Sequence, residues 1–281
     1  MTNSKISIFG ASGFIGSRYC DLYDDIIKIH RSELNPQSDE VLYLISTVDN
    51  YNVFDNPLLD VETNLIHLIK VLEKCKERKD LTFNFVSSWF VYGKTTDLPA
   101  KEDSHCNPTG FYSITKRAAE QLIVSYCETF GLNYRILRLS NVYGPRDKKA
   151  SKKKNAMQHM VCEILENRDI NLYNNGENIR DFLHVDDICR AINLVIKNGD
   201  KNTIINIGSG KPQKIIEIVE RVRQKVGSTT KFNFVSPPHF HKIVQIENMY
   251  LDTTKLKSLG FEQTIDIESG IDDLVREMRT S

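Results

Sequence analysis

The chain has 281 residues, 40% of them apolar, and 37 acidic side chains against 37 basic ones. That is enough apolar material for one large domain or two joined ones, and the zero formal charge gives no overall pull toward nucleic acid or an anionic membrane. No stretch approaches the ~20 apolar residues of a membrane span.

Met1-Thr2-Asn3-Ser4-Lys5 run straight into a strand pattern, which leaves no room for a signal peptide. The six cysteines (Cys20, Cys75, Cys106, Cys127, Cys162, Cys189) are scattered and form no C-x-x-C pair, so neither a zinc site nor a disulfide framework is indicated. A reducing cytoplasm is the simplest setting.

Residues 5–9 alternate as a strand and lead into Gly10-Ala11-Ser12-Gly13-Phe14-Ile15-Gly16, with a helix expected over 14–23. Glycines on a strand-to-helix turn let the backbone approach a pyrophosphate, whose charge meets free N–H groups at the helix start. Gly10, Ser12, Gly13, Phe14, Ile15 and Gly16 are therefore candidate dinucleotide contacts.

A second strand, Ile26 to His30, ends in His30-Arg31-Ser32 rather than the acidic residue that takes the ribose diol of NAD. An arginine there suits a 2′-phosphate, so His30 and Arg31 point to NADP, with NAD as second choice. Residues 32–40 read as a loop and 41–46 as the next strand, closing on Ser46, a further cofactor candidate. A complete Rossmann half would hold a helix and an edge strand in between; here they are absent, so the first half is abbreviated.

Leu65, Leu68, Ile69 and Leu72 stripe a helix over 58–78, and Phe83 to Ser88 form a strand followed by Trp89-Phe90-Val91-Tyr92-Gly93. A helix over 110–130 is stopped by Gly131 and followed by a strand over 134–139. Strands alternating with helices indicate an α/β fold with a parallel sheet covered on both faces.

Further elements are a basic run from Arg146 to Lys154, a helix over 155–167, a turn at 174–176 and a helix reaching about 197. A strand at 204–207, a helix at 214–226, a loop with Pro237-Pro238 and a helix after Gly270 complete the chain. The basic run is a solvated loop or a lure for an anionic substrate. His239 and His241, with no third ligand candidate, do not make a metal site.

The pair with chemistry is Tyr112 and Lys116, four apart and so on one helix face. A phenol titrates at about 10, and an ammonium one turn away is expected to lower that value. A tyrosine so tuned serves as an acid or base near neutrality.

Six motifs then stand in order: Gly10 to Gly16, Ser87-Ser88-x-x-Val91-Tyr92-Gly93, Tyr112-x-x-x-Lys116, Arg138-Leu139-Ser140-Asn141-Val142-Tyr143-Gly144-Pro145, Gly176-x-x-x-Arg180-Asp181-Phe182-x-His184-Val185-x-Asp187, and Asn206 to Gly210. In these motifs the chain resembles the extended short-chain dehydrogenase/reductases of the nucleotide-sugar epimerase/dehydratase group, over nearly its whole length.

The resemblance implies a Rossmann-type doubly wound parallel sheet with a smaller C-terminal α/β substrate domain. The dinucleotide domain would take residues 1–143 and about 181–207; the sugar-nucleotide domain would take about 144–180 and 208–281. It implies a catalytic set of Ser88, Tyr112 and Lys116, the lysine also holding the nicotinamide ribose. It places Asn141 and Arg180 at the substrate diphosphate, and Lys242 where the family carries a later arginine.

Dehydratases of the group carry Asp-Glu after the catalytic hydroxyl. Here Trp89 and Phe90 stand there, with Trp89 a substrate contact and neither side chain an acid or a base. Hydride transfer at one carbon is what remains.

The main expectation is NADPH-dependent reduction of a 4-keto (6-deoxy) sugar nucleotide, of the kind used in polysaccharide biosynthesis. The first alternative is an NAD-dependent 4-epimerase that retains its cofactor. The second is a non-catalytic dinucleotide sensor. By analogy the expected partner is a second copy, docked through the helices at 58–78 and 110–130.

Overall fold

The computed structural model of the chain describes residues 5–48, 50–147 and 156–280. Met1 to Ser4, residues 148–154 of the basic run and residue 155 at the expected helix start lie outside the described residues.

Six parallel strands form the central sheet: β1 (Ile6–Phe9), β2 (Ile26–Ile29), β3 (Glu40–Tyr43), β4 (Thr82–Ser88), β5 (Asn133–Leu139) and the strand Thr203–Ile207. Their order is Thr203–Ile207, β5, β4, β3, β1, β2. β2 and β3 flank β1 directly, Ile6 pairing with Ile26 on one side and with Glu40 on the other. Residues 30–39 hold neither helix nor strand, so β2 is an edge and the first half is abbreviated as expected.

Both faces are covered, as a parallel sheet requires. Strand alternation sends Ile8 and Leu42 to one face, where Ile188, Ile192 and Val195 of the helix Val185–Asn198 meet them. Phe9, Val41 and Tyr43 go to the other, under Leu68 and Leu72 on one helix and Ala119 and Ile123 on the helix Phe111–Phe130. Each such fully buried large side chain contributes about 1.5–3 kcal/mol.

The expected helix at 58–78 runs only to Cys75 and is not uniform. Leu58–Val61 and His67–Cys75 are α-helical, and Glu62–Ile66 between them is a π-turn. Such turns cluster at functional sites, and here the turn carries Asn64, which is 2% exposed.

A separate core gathers Tyr143, Met157, Val161, Ile218, Val219, Ile271 and Leu274. The last helix, Ile267–Thr280, begins before Gly270 instead of after it. That glycine lies inside the helix, where a Cβ on it would be 2.2 Å from the Tyr143 hydroxyl, so it admits a close neighbour. Among the elements with no counterpart in the sequence reading are the paired strands Ile170–Tyr173 and Phe232–Val235 and the short helix His239–Val244.

Candidate functional site

At the end of β1 the chain turns through Gly10, whose φ of 88° is in the left-handed region. The Gly13 N–H donates to the Gly10 carbonyl at 3.0 Å, and Gly13 caps the helix Phe14–Leu22. A Cβ on Gly16 would sit 2.2 Å from that same carbonyl, so only glycine lets the helix start press on the turn. Ser12 and Gly13 are exposed. An open helix N-terminus behind a glycine turn fits a dinucleotide pyrophosphate.

His30 and Arg31 are both exposed beyond β2, with His30 Nδ1 2.8 Å from the Ser32 hydroxyl. Ser46, beyond β3, donates to Asn64 Oδ1 at 3.1 Å.

β4 ends at Ser88, 8% exposed, which accepts the Phe90 N–H and so starts the turn Trp89–Tyr92. Tyr112 lies in the first turn of the helix Phe111–Phe130 and is also 8% exposed. Burial pushes its phenol up to about 12; the Ser88 hydroxyl pulls the other way, and the nearby charge of Asp60 raises it further.

The expected lowering by Lys116 is not found. Lys116 is 2% exposed, donates to the Val86 carbonyl at 2.6 Å and rests 3.9 Å from the centre of the Phe85 ring. Burial brings its own pKa down to about 7, with Glu120 opposing the drop. Glu120 in turn is clamped by the Arg138 guanidinium (3.0 and 2.8 Å) and by the Ser87 hydroxyl at 2.5 Å.

Trp89 and Phe90 stack at 3.9 Å between ring centres. Phe90 presents an edge-to-face contact to Tyr112 at 6.0 Å, and the Arg180 guanidinium lies 5.3 Å from the Trp89 ring. Arg180 donates to three carbonyls, those of Ile179, Glu247 and Ile246, at 2.6–2.8 Å. No carboxylate pairs with it among the described residues, and burial lowers its pKa to about 10.

Asn141 is tied to the same segment: its backbone and side-chain N–H groups both donate to the Asp181 carbonyl. The buried Asp181 carboxylate accepts from Ser209 N, Ser209 Oγ, Gly210 N and Leu251 N. This joins the fifth and sixth sequence motifs into one scaffold.

Lys242 does not join this group. It is exposed on the helix His239–Val244, and no hydrogen bond or ion pair connects its side chain to Trp89, Asn141 or Arg180 among the described residues.

Other residues at the site carry no motif. Tyr51 reaches His241 Nε2 by hydrogen bond and packs 5.2 Å from the Phe240 ring, bridging two segments 190 residues apart. Asp60, Asn64 and Thr115 form a buried polar chain beside Tyr112.

Residues 23–208 match the NAD dependent epimerase/dehydratase family. A provisionally named UDP-glucose 4-epimerase of Methanocaldococcus jannaschii is 28% identical, over 98% of this chain and 99% of its own length. The low-salt glycan biosynthesis protein Agl12 of Haloferax volcanii is 30% identical over 76% of this chain and 67% of its own.

Among solved structures, UDP-glucose 4-epimerase of Thermotoga maritima with UDP-glucose has a TM-score of 0.88 at 24% identity, over 98% of this chain and 99% of that one. RMD of Pseudomonas aeruginosa with NADPH has a TM-score of 0.86 at 21% identity, over 99% of both. Both likenesses establish a Rossmann-type fold. No helix among the described residues is long and apolar enough to cross a membrane. The matched segment holds the sheet from β2 to Thr203–Ile207 together with the entire Tyr112 helix, and the chain belongs to the NAD dependent epimerase/dehydratase family of enzymes.

Proposed function

We propose that the protein is an NAD-dependent nucleotide-sugar 4-epimerase, with a UDP-sugar as the first substrate to try. The observation that carries this reading is a single aromatic stack with different chemistry at its two ends. Tyr112 and Ser88 stand beside Phe90; a guanidinium with no carboxylate partner among the described residues stands over Trp89. A sugar hydroxyl at one end and a diphosphate at the other match the groups on offer. The Methanocaldococcus jannaschii relative, matched over 98% of the chain, carries an epimerase name, and this favours 4-epimerisation over 4-ketoreduction.

In this reading the glycine turn and Ser46 hold a nicotinamide dinucleotide, which supplies a reversible hydride acceptor when bound. Tyr112, in its phenolate form, takes the proton of the C4 hydroxyl and later returns it. Ser88 donates to the same oxygen and steadies its developing charge. Arg180, aided by Asn141, anchors the diphosphate. Trp89 and Phe90 offer no acid or base at the positions next to Ser88, which favours chemistry confined to one carbon. We assign residues 1–143 and about 181–207 to the dinucleotide and the remainder to the sugar nucleotide, with the cytoplasm as the setting.

The experiment is mass spectrometry of the nucleotide released on denaturation, together with interconversion of UDP-glucose and UDP-galactose. Released NAD with interconversion is the expected result. Absence of turnover on any nucleotide sugar overturns the reading.

A second reading, reduction of a 4-keto sugar nucleotide by NADPH, rests on Arg31, exposed just past the end of β2. In that case the protein emerges empty and consumes NADPH on addition of a 4-keto-6-deoxy sugar nucleotide. Arg31→Ala then weakens NADPH far more than NADH; equal effects remove this reading.

We also propose a homodimer. Leu58, Leu59, Ile66 and Ile69 on one helix run and Ile114 and Leu122 on the other are exposed, and all six lie on the two helices expected to dock.

A further inference from the structure

Asp60 is fully buried, yet no ion pair involves it among the described residues. It lies in the helical turn Leu58–Val61, which packs against the Tyr112 helix. One carboxylate oxygen accepts from the Thr47 hydroxyl and from Asn52 Nδ2 (3.1 Å); the other is buried without a partner among the described residues. A buried anion with one oxygen unsatisfied is costly to a fold, so its placement calls for an explanation.

From Asp60 a hydrogen-bonded chain leads to the catalytic helix. Thr47 Oγ1 accepts from Asn64 Nδ2 at 2.8 Å, and the same Nδ2 donates to Thr115 Oγ1 at 2.9 Å. Thr115 Oγ1 donates in turn to the carbonyls of Phe111 and Tyr112, both at 3.0 Å. Asn64 Oδ1 accepts from Thr47 N and Ser46 Oγ. Asn64 makes these bonds from within the π-turn Glu62–Ile66, where it is buried.

We propose that Asp60 is a positioning residue for Tyr112: its carboxylate holds Thr47 and Asn52, and through Asn64 and Thr115 it ties them to the start of the catalytic helix. This rests on the reading of Tyr112 as the proton-exchanging group.

The other charged groups around Tyr112 do not perform this task. On its own helix, Lys116 is engaged by Val86 and Glu120 by Arg138. On the elements packed against it, Asp55 and Glu62 are exposed, β4 brings only the neutral Ser88, and Arg180 lies behind the Trp89–Phe90 stack. Asp60 is the charge that bears on the phenol, and it raises the pKa that burial has already raised.

The test is Asp60→Asn, which keeps an oxygen for Thr47 and removes the charge. Tyr112 is followed by NMR of ring-13C tyrosine in the NAD-bound protein, its resonance identified by its loss in Tyr112→Phe. At pH 10 the phenolate fraction is expected to be about three- to tenfold larger in Asp60→Asn than in wild type, the effect of a neighbouring charge worth about 0.5–1 pH unit. Asp60→Glu restores the wild-type fraction. In turnover, the ascending limb of the pH profile moves down in step. An unchanged phenolate fraction in folded Asp60→Asn overturns the proposal; Asp60→Ser serves the same comparison if the asparagine variant does not fold. Should wild type turn over no nucleotide sugar, the reaction reading fails, and the NMR titration still decides the role of Asp60.

Discussion

Lys116 donates its ammonium to the Val86 carbonyl at 2.6 Å, while Tyr112, one helical turn earlier, draws no lowering of its pKa from it. The lysine is held by strand backbone and the Phe85 ring in a site that disfavours its charge. Its folded pKa of about 7 lies below the unfolded value of about 10.4. Between these two values the unfolded chain binds more protons, so this group's penalty is relieved as pH rises. From pH 7 to 9, wild type is expected to gain stability over Lys116→Met by on the order of 2 kcal/mol. Urea unfolding at several pH values checks this; parallel curves for the two proteins would refute it.

Tyr112→Phe removes the proton but keeps the ring against Phe90. Turnover is expected to fall by about a hundred- to ten-thousand-fold, with dinucleotide affinity unchanged. Stopped-flow turnover and a fluorescence titration separate the two. Activity near wild type would end the case for Tyr112 as the acid/base.

Arg180 draws its role from a planar fork that three carbonyls hold in place. Arg180→Lys is expected to behave like Arg180→Ala, since an ammonium cannot reproduce that geometry. KM for a sugar nucleotide is expected to rise about 10- to 100-fold, from the loss of charge-assisted hydrogen bonds worth about 1.5–3 kcal/mol. Dinucleotide binding should not change. An unaltered KM in both variants counts against Arg180 as the diphosphate anchor.

Ile66→Glu places a charge in the centre of the exposed apolar stripe on the helices Leu58–Cys75 and Phe111–Phe130. Sedimentation is expected to show a dimer for wild type and a monomer for the variant. Equal masses for both proteins would remove that face from the interface.

The sheet and its helices were legible because β1, β4 and the Tyr112 helix each carry a period and a punctuating residue. Gly131, with φ of 70°, ends that helix where the sequence predicts. Ser88, Tyr112, Asn141 and Arg180 were legible because each sits inside a motif. The start of the last helix was misplaced because a glycine ahead of a helix and a glycine inside one that admits a tyrosine look the same in one dimension. Asp60 and the Tyr51–His241 bridge left no signal at all. The first is a single acid in a helical pattern, and the second joins residues 190 positions apart. The direction in which Lys116 points was equally hidden, because spacing fixes a helix face but not a rotamer.

Loss of the outer strand from the first Rossmann half leaves β2 with one row of backbone donors and acceptors facing outward. Such a row is a template on which a foreign strand can grow. Here the strand is only four residues long, Ile26-Ile27-Lys28-Ile29, and Lys28 is exposed. A short, charged margin discourages chain-to-chain pairing. The shortened fold is thus protected against aggregation at the place where it was cut back.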